Sequence, residues 1–465
     1  MGEKRQYFLC GVGGSGMLPL ALILRAAGHE VAGSDRALDQ GRTAPKFDFL
    51  RAEGVTLFPQ DGSGVVSPAQ ILVTSAAVEE AVPDVQAAIR LGAHRMSRAA
   101  LLAELFNAAP TPIGVAGTSG KSTTVAMIAW ILSATGRDPT VMNGAVMKNF
   151  IRDGALFTSA LVGGGPAFVS EIDESDGSIA LFNPKIAVLN NVSLDHKSMD
   201  ELRALFGDFL ARAEIAIVNL DNKEAASLQD RAPLTIGYSL SGRGDFTAEA
   251  IIPARYGVSF TAVDSLSGAR ADILLKVPGR HNVSNALAAV VAAVASGVRF
   301  EEAAKALGGF LGIRRRFELV GEAAGVAVID DFGHNPDKIA ATLKTLHDFP
   351  GRLLVMFQPH GFGPLKKMKA ELIACFAGEL GPEDVLLMPE PVYYGGTTDR
   401  SVSSGDIIAG VVAAGRRAEA LATREDCGRR LLERARAGDR IVVMGARDDT
   451  LTTFAEDLVE ALRRR

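Results

Sequence analysis

Val115-Ala-Gly-Thr-Ser-Gly-Lys-Ser-Thr-Thr124 is a glycine-rich turn ending in Lys-Ser, and its two flanks decide the fold. Upstream, Thr111-Pro-Ile-Gly-Val-Ala116 reads as a short buried strand. Downstream, Thr123 to Thr135 is apolar at helical spacing, so the turn joins a strand to a helix. In that setting the backbone N–H groups of Gly117, Thr118, Ser119, Gly120 and Thr123 can point at phosphate oxygens from a helix N-terminus. Lys121 supplies charge to the outer phosphates, and the Ser122 hydroxyl can reach Mg2+. The strict form of such a loop has glycine where Val115 stands, so this is the shorter variant, Gly-Thr-x-Gly-Lys-Ser. The implied ligand is a nucleoside triphosphate, with ATP the first expectation.

At 465 residues the chain exceeds one core of ordinary size, and three domains are expected. Apolar residues make up 48% and charged residues 22%, the balance of a soluble globular protein that can bury sizeable cores. A net charge of −5 without a basic block argues against nucleic acid or an anionic membrane as partner and favours a small-molecule substrate. Cys10, Cys375 and Cys427 are scattered and form no CxxC pair, so they are expected to be reduced and structural. The apolar run after Met1-Gly-Glu-Lys-Arg is broken by Gly11, Gly13, Gly14 and Gly16. No segment approaches the roughly 18 uninterrupted apolar residues of a membrane span, so the expected location is the cytoplasm. A monomer and a homodimer are both compatible with this composition.

The first hundred residues alternate short apolar strands with helical stretches: Tyr7 to Val12, a helix from about Gly16 to Ala27, Val31 to Ser34, then Ile71 to Ser75. This β-α-β alternation predicts a doubly wound parallel sheet. A second unit is expected to begin near Ala109-Pro-Thr-Pro112, where two prolines follow the helical Arg98 to Ala108. A third is expected after Gly308 to Arg316, since Val326 to Asp330, Leu353 to Phe357, Val385 to Met388 and Ile441 to Met444 read as buried strands between helices. The Ala-rich stretch Asn285 to Ser296 reads as a close-packed helix.

Two further clusters carry chemistry. Gly11-Val-Gly-Gly-Ser-Gly16 follows a strand and opens a helix, and Asp35 ends the next strand. That pattern suits the phosphates of a dinucleotide, with the acid on ribose hydroxyls, or equally those of a UDP-sugar on the same helix N-terminus. Phe168-Val-Ser-Glu-Ile-Asp-Glu-Ser-Asp176 carries four carboxylates at the end of an expected strand, and such hard oxygens suit Mg2+. Ile186 to Val192 reads as another strand, followed by Asp195-His196, where a neutral imidazole can serve as a metal ligand.

Taken together, the arrangement resembles the Mur ligases, ATP-dependent amide-forming enzymes of bacterial cell-wall precursor synthesis. Seven pieces occur in family order: Gly11 to Met17 with Gly33-Ser-Asp35, Gly117 to Ser122, Glu171-Ile-Asp-Glu-Ser-Asp176, Asn191-Val-Ser-Leu-Asp-His196, Gly279-Arg-His-Asn-Val-Ser-Asn285, Arg315-Arg-Phe317, and Asp330-Asp-Phe-Gly-His-Asn-Pro336. The resemblance implies an α/β protein of three domains. These are an N-terminal Rossmann-like domain for the UDP-sugar (1–108), a central P-loop ATPase domain (109–312) and a C-terminal Rossmann-like domain for the acceptor (313–465).

It further implies Lys121, Glu171, His196 and Arg316 as catalytic, and Ser122, Glu171 and His196 as metal ligands. The nucleotide would be held by Gly117 to Thr123 with Asn282 and Asn285 near adenine, and by Arg316, Asp331 and Asn335. The substrates would meet Gly13, Gly14, Ser15, Gly16, Met17, Ser34, Asp35, Ser75 and His360. The implied cofactors are ATP and Mg2+, and the partners a UDP-N-acetylmuramate-type sugar and an amino-acid or peptide acceptor, joined through an acyl phosphate.

Gly13-Gly14 with Gly16-Met17, Asp173 to Asp176 and Gln358-Pro-His360 look like the alanine-adding branch of this family. Ala129-Trp-Ile-Leu132 and Asn143-Gly-Ala-Val-Met-Lys-Asn-Phe150 look like the branch that adds a recycled tripeptide. The alanine branch continues Gln-Pro-His-Arg-Tyr-x-Arg, whereas this chain reads Gln358-Pro-His-Gly-Phe-Gly-Pro364, without either arginine. A bidentate guanidinium is not replaced by glycine or proline, although Lys366 or Lys367 can supply a point charge. No lysine lies between Lys197 and Lys223, where several branches carry a carbamylated one. Two other readings stand beside the ligase: a NAD-dependent oxidoreductase resting on the Gly11 turn and Asp35, and a non-catalytic nucleotide-binding protein of the same fold.

Overall fold

The computed structural model describes residues 4–465 except 77, 153–157, 195–196, 393–399, 447 and 449. The chain divides into two compact units, Met1–Ile313 and Arg314–Arg465.

The first unit holds two sheets. One is wholly parallel, with strands in the order Thr56–Phe58, Glu30–Ser34, Gln6–Cys10, Gln70–Thr74, His94–Ser97. The other has ten strands, and Thr111–Ala116 lies near its middle between Ala167–Glu171 and Ile186–Leu189, parallel to both. Being covered on both faces, these strands read as continuous apolar runs. Gly114 is required inside its strand because a Cβ would fall 2.9 Å from the Phe209 ring and 3.1 Å from Ile172.

Beyond Leu234–Ser239 the sheet ends in an antiparallel meander, Phe246–Ala254, Gly257–Asp264 and Arg270–Leu275. Two helices, Lys121–Ala134 and Arg280–Ala295, pack their apolar residues on one face of this sheet. Trp130 on the first of them donates its indole N–H to the Ala306 carbonyl at 2.7 Å and meets the Phe150 ring edge-on at 6.0 Å. The opposite face shares a single apolar cluster with the five-stranded sheet. Phe106, at the end of the helix Arg98–Asn107, joins them through edge contacts to Phe168 at 5.8 Å and Phe182 at 5.5 Å. Phe106 therefore explains why the first two sheets form one compact unit. The expected break at Ala109–Pro112 is short, for Thr111 and Pro112 already belong to the strand.

The second unit is built on a six-stranded sheet ordered Glu318–Ala323, Val326–Asp331, Arg440–Gly445, Leu353–Gln358, Val385–Pro389, Arg417–Leu421. All neighbours are parallel except the first pair, an antiparallel edge hairpin. Apolar clusters cover both faces. The cysteines are unpaired, with Cys10 and Cys427 buried. Burial pushes their thiols up to about 12 in both cases and that of Cys375 to about 11. Among the described residues no helix is long and apolar enough to cross a membrane.

Candidate active site

Three parallel strands of the ten-stranded sheet end side by side. Ala116 leads into the glycine-rich loop, Glu171 closes its own strand, and Leu189 leads into Asn190-Asn191. The C-terminal edge of such a sheet is where ligands of open α/β folds bind. The loop's shape depends on missing side chains. Gly117 has φ +132°, and a Cβ there would meet the Asn191 carbonyl oxygen at 2.9 Å; Gly120 caps the helix at φ +85°, with Asn285 Oδ1 2.6 Å from its would-be Cβ.

Asn191 holds the loop from the next strand. Its carbonyl accepts from Thr118 N–H at 3.1 Å, its Oδ1 from Ser119 N–H at 2.9 Å, and its Nδ2 donates to Ser119 O at 3.0 Å. The Thr118 hydroxyl donates to Ser193 O at 3.2 Å. Asn190 Nδ2 donates to the Thr124 hydroxyl at 2.9 Å, locking the first helical turn. Thr123 is half-buried in that turn.

Lys121 Nζ donates to the Gly117 carbonyl at 2.7 Å and to Glu174 Oε2 at 2.9 Å, a pair whose side chains are 18% and 8% exposed. The Ser122 hydroxyl donates to Glu171 Oε2 at 2.7 Å. Burial raises the Asp173 carboxyl, but the Ser175 N–H, Lys121, the Ser175 hydroxyl and Arg98 outweigh it, so the group sits below its usual range. Of the four expected carboxylates, only Glu171 lies in the strand. Glu174 neutralises Lys121, while Asp173 and Asp176 accept from the N–H groups of Ser175 and Ser178 in tight turns.

Ser122 Oγ and Glu171 are two adjacent hard oxygen donors at the mouth of a phosphate loop, the donor chemistry that Mg2+ takes. Among the described residues no group of three or more His, Cys, Asp or Glu gathers around a metal position. Two protein oxygens fit Mg2+, which commonly binds one or two carboxylates and completes its octahedron with phosphate and water. His196, the other expected ligand, and its neighbour Asp195 lie outside the described residues.

Asn282 and Asn285 are buried in the helix Arg280–Ala295, and Asn285 Nδ2 donates to Asn282 Oδ1 at 3.2 Å. Asn285 stands inside the helix and is no N-cap. Asn285 Oδ1 lies 2.6 Å from where a Gly120 Cβ would stand, which puts Asn285 beside the loop with Asn282 bonded to it.

In the five-stranded sheet, Gly11 N–H and Val12 N–H donate to Ser34 O, and Gly13 N–H donates to Asp35 Oδ2 at 2.9 Å. Gly14 and Ser15 are exposed, Gly16 packs on Arg98, and Met17 is buried. The helix begins at Leu18, two residues later than expected. The Asp35 carboxylate is already committed, since its Oδ1 also N-caps a short helix through Ala37 N–H at 2.8 Å. Ser34 is buried and donates its hydroxyl to Asp84 Oδ2 at 2.5 Å. Ser75 follows the strand Gln70–Thr74 and is half-buried.

In the second unit, Arg316 lies between two non-glycine residues at positive φ, Arg315 at +59° and Phe317 at +48°. Arg315 is fixed by its guanidinium, which donates to Gly445 O at 2.7 Å and Asp448 O at 2.9 Å and pairs with buried Asp330 at 3.4 Å. Phe317 is fixed by its N–H donating to Asp331 Oδ2 at 2.8 Å. Such strained backbone persists only where the surroundings over-determine it. The Arg316 guanidinium stacks over the Phe332 ring at 4.6 Å.

Asp331 Oδ1 accepts from Gly333 N–H and the Thr342 hydroxyl, so this carboxylate orders the loop after its strand. Asn335 N-caps the helix Pro336–His347 through Lys338 N–H at 3.0 Å. His360 meets His334 edge-on at 5.5 Å. Burial, with Lys338, holds His334 down to about 4, against the Phe332 carbonyl, which pulls it up. The His334 ring is therefore neutral at pH 7.

Sequence reasoning passed over Asn143-Gly144, Asn190 and Asn191 as site residues. The Asn-Gly dipeptide just past the strand Thr140–Met142, and the Asn-Asn pair just past Ile186–Leu189, are the signals that point to them.

Residues 7–109 match the Mur ligase family catalytic domain, 115–293 the Mur ligase middle domain, and 315–447 the Mur ligase glutamate ligase domain. The UDP-N-acetylmuramate–L-alanine ligase of Paracoccus denitrificans is 34% identical across 99% of this chain and 97% of its own length. That of Gloeobacter violaceus is 34% identical across 94% and 92%. Among solved structures, the UDP-N-acetylmuramate–alanine ligase of Thermotoga maritima superposes with a TM-score of 0.79 at 23% identity over 99% of both chains, a likeness of fold. A murein peptide ligase of Psychrobacter arcticus gives 0.74 at 26% identity, again over 99% of both.

Proposed function

This chain belongs to the Mur ligase family, and from that premise we propose that it joins the carboxylate of UDP-N-acetylmuramate to the amino group of L-alanine, consuming ATP, in peptidoglycan precursor synthesis. The observation that carries this reading is the cluster of Lys121, Ser122 and Glu171 at the edge of three parallel strands. It supplies a charge for the outer phosphates and two hard oxygens for Mg2+. The alanine-ligase relatives, similar over nearly their whole length, support the substrates.

The chain divides for this purpose into a nucleotide-sugar domain (1–108), an ATP domain (109–312) and an acceptor domain (313–465). Backbone N–H groups of Gly117 to Thr123 cradle the triphosphate, Asn282 and Asn285 face adenine, and Arg316, Asp331 and Asn335 serve the nucleotide from the acceptor domain. Gly13 to Met17, Ser34, Asp35, Ser75 and His360 serve the substrates. Asp35 does so by shaping the turn, since its oxygens are engaged. Mg2+ held by Ser122 and Glu171, with His196 on a second ion, would draw charge from the transferring phosphoryl group.

The muramoyl carboxylate attacks the γ-phosphorus, and ADP leaves with the electron pair of the broken P–O bond. The neutral amine then adds to the acyl carbon, phosphate departs, and the surplus proton passes to solvent. Alignment and charge stabilisation carry most of such a reaction. Its ATP and UDP-sugar substrates support a cytoplasmic reaction.

A second reading, ligation of a murein tripeptide to the same sugar, is favoured by the Psychrobacter arcticus likeness and by the missing arginines after His360. Incubation with ATP, Mg2+, UDP-N-acetylmuramate and acceptors from single amino acids to the tripeptide, followed by phosphate release and product mass, separates the two. An alanine adduct is expected. No amide with any acceptor would leave only a nucleotide-binding protein of this fold.

A further inference from the structure

Asn143 follows the strand Thr140–Met142 and is fully buried. Its backbone N–H donates to Ser159 O at 2.9 Å, and its side-chain Nδ2 donates to the carbonyl of Ser122 at 3.0 Å. That bond fixes the amide's orientation, because the flipped form would set one oxygen against another. Asn143 Oδ1 is then a buried acceptor without a hydrogen-bond partner among the described residues. Native interiors keep few such atoms, and each calls for an explanation.

The surroundings supply one. The residue that Asn143 grips is Ser122, whose hydroxyl donates to Glu171 Oε2 at 2.7 Å. The residue that follows, Gly144, lies so close to the same carboxylate that a Cβ would come within 2.1 Å of Glu171 Oε1. Asn143 thus holds the backbone of Ser122, its neighbour Gly144 lies against Glu171, and one Asn143 acceptor is left over. A divalent cation held by only two protein oxygens keeps several waters, and each water needs an acceptor for its protons.

We propose that Asn143 is a positioning residue of the cation site, its Oδ1 accepting a hydrogen bond from a water on the divalent ion that Ser122 and Glu171 hold. The inference rests on the Mg-ATP reading above and deepens it.

The test uses Mn2+ as the probe, titrated by its electron paramagnetic resonance signal into the full-length protein with a non-hydrolysable ATP analogue. Asn143→Leu keeps the volume and removes the acceptor. It should keep the wild-type melting temperature within a few degrees and bind the metal-free analogue normally, while Mn2+ affinity falls by about 10- to 100-fold. Asn143→Asp keeps an acceptor and adds charge, and Mn2+ should bind at least as tightly as in the wild type. Equal Mn2+ affinity in the wild type and the folded leucine variant overturns the inference and leaves the ligase reading standing. Should the leucine variant not fold, weakened Mn2+ binding by the aspartate variant overturns it. A wild type that binds neither Mn2+ nor the analogue overturns both.

Discussion

Lys121 is not free to meet a triphosphate, because Glu174 already occupies it at 2.9 Å in a pair of which little is exposed. Glu174→Gln removes the competing charge with almost no change of shape. The gross attraction at that distance is about 6 kcal/mol for an effective dielectric near 20. Most of it is offset by water regained when the pair opens, and a charge-assisted hydrogen bond of this kind typically retains about 2 kcal/mol. A triphosphate must displace that contact, so the variant should bind ATP about thirtyfold more tightly, since about 1.4 kcal/mol is a factor of ten. The measurement is a calorimetric titration of ATP at constant Mg2+ without acceptor, at two salt concentrations. Affinity equal to or weaker than wild type would refute the reasoning, for it would mean that Glu174 orients Lys121 toward the phosphates instead of competing with them.

Lys121→Ala should lower ligase turnover by at least about 10²–10³, the typical loss for one preorganised charge partner, with an unchanged circular dichroism spectrum; wild-type turnover would sink the loop assignment. In Gly144→Ala the nearest atoms to the new methyl are those at the movable tip of Glu171, so the protein should melt near the wild-type temperature. Turnover should nevertheless fall about 10²-fold, as expected for an angstrom-scale displacement of a site group; normal turnover in the folded variant would refute it. His334 should titrate by NMR near pH 4, in place of its ordinary 6.5. The unfolded chain then binds more protons than the folded one between those values, so stability is complete above about pH 6.5 and declines as pH falls toward 4. A His334→Gln variant should lose that part of the pH dependence, and a ring titrating near 6.5 would contradict it.

The parallel strands were legible because both of their faces are covered. Val326–Asp331, Leu353–Gln358 and Val385–Pro389 appear in the sequence as unbroken apolar runs, within a residue or two of their ends. The meander Phe246–Ala254, Gly257–Asp264 and Arg270–Leu275 was not, since one face meets water and the register shifts between Glu249 and Ile252, where Ala250 has φ +48°. That bulge breaks the alternation by which a half-buried strand is recognised. At the site, Lys121, Ser122 and Glu171 announce themselves through local spacing. Asn143, Asn190 and Asn191 act through partners 21, 66 and 72 positions away, respectively, and no local pattern encodes such contacts. Asp35 and Asn335 carry motif identities suited to ligands, and the sequence alone does not show that the Asp35 oxygens and Asn335 Oδ1 also cap helices and order turns.

The chain contains one tryptophan, and it sits on the phosphate-loop helix. Trp130 follows Lys121 by nine residues, about 14 Å along the axis at about 1.5 Å per residue. Its indole is tethered to Ala306 and packed on Phe150, both within the first unit. Intrinsic tryptophan emission therefore reports a single place in the molecule, with no contribution from Arg314–Arg465. A spectroscopist has a native optical label for the nucleotide helix, with no dye to attach and no background to subtract.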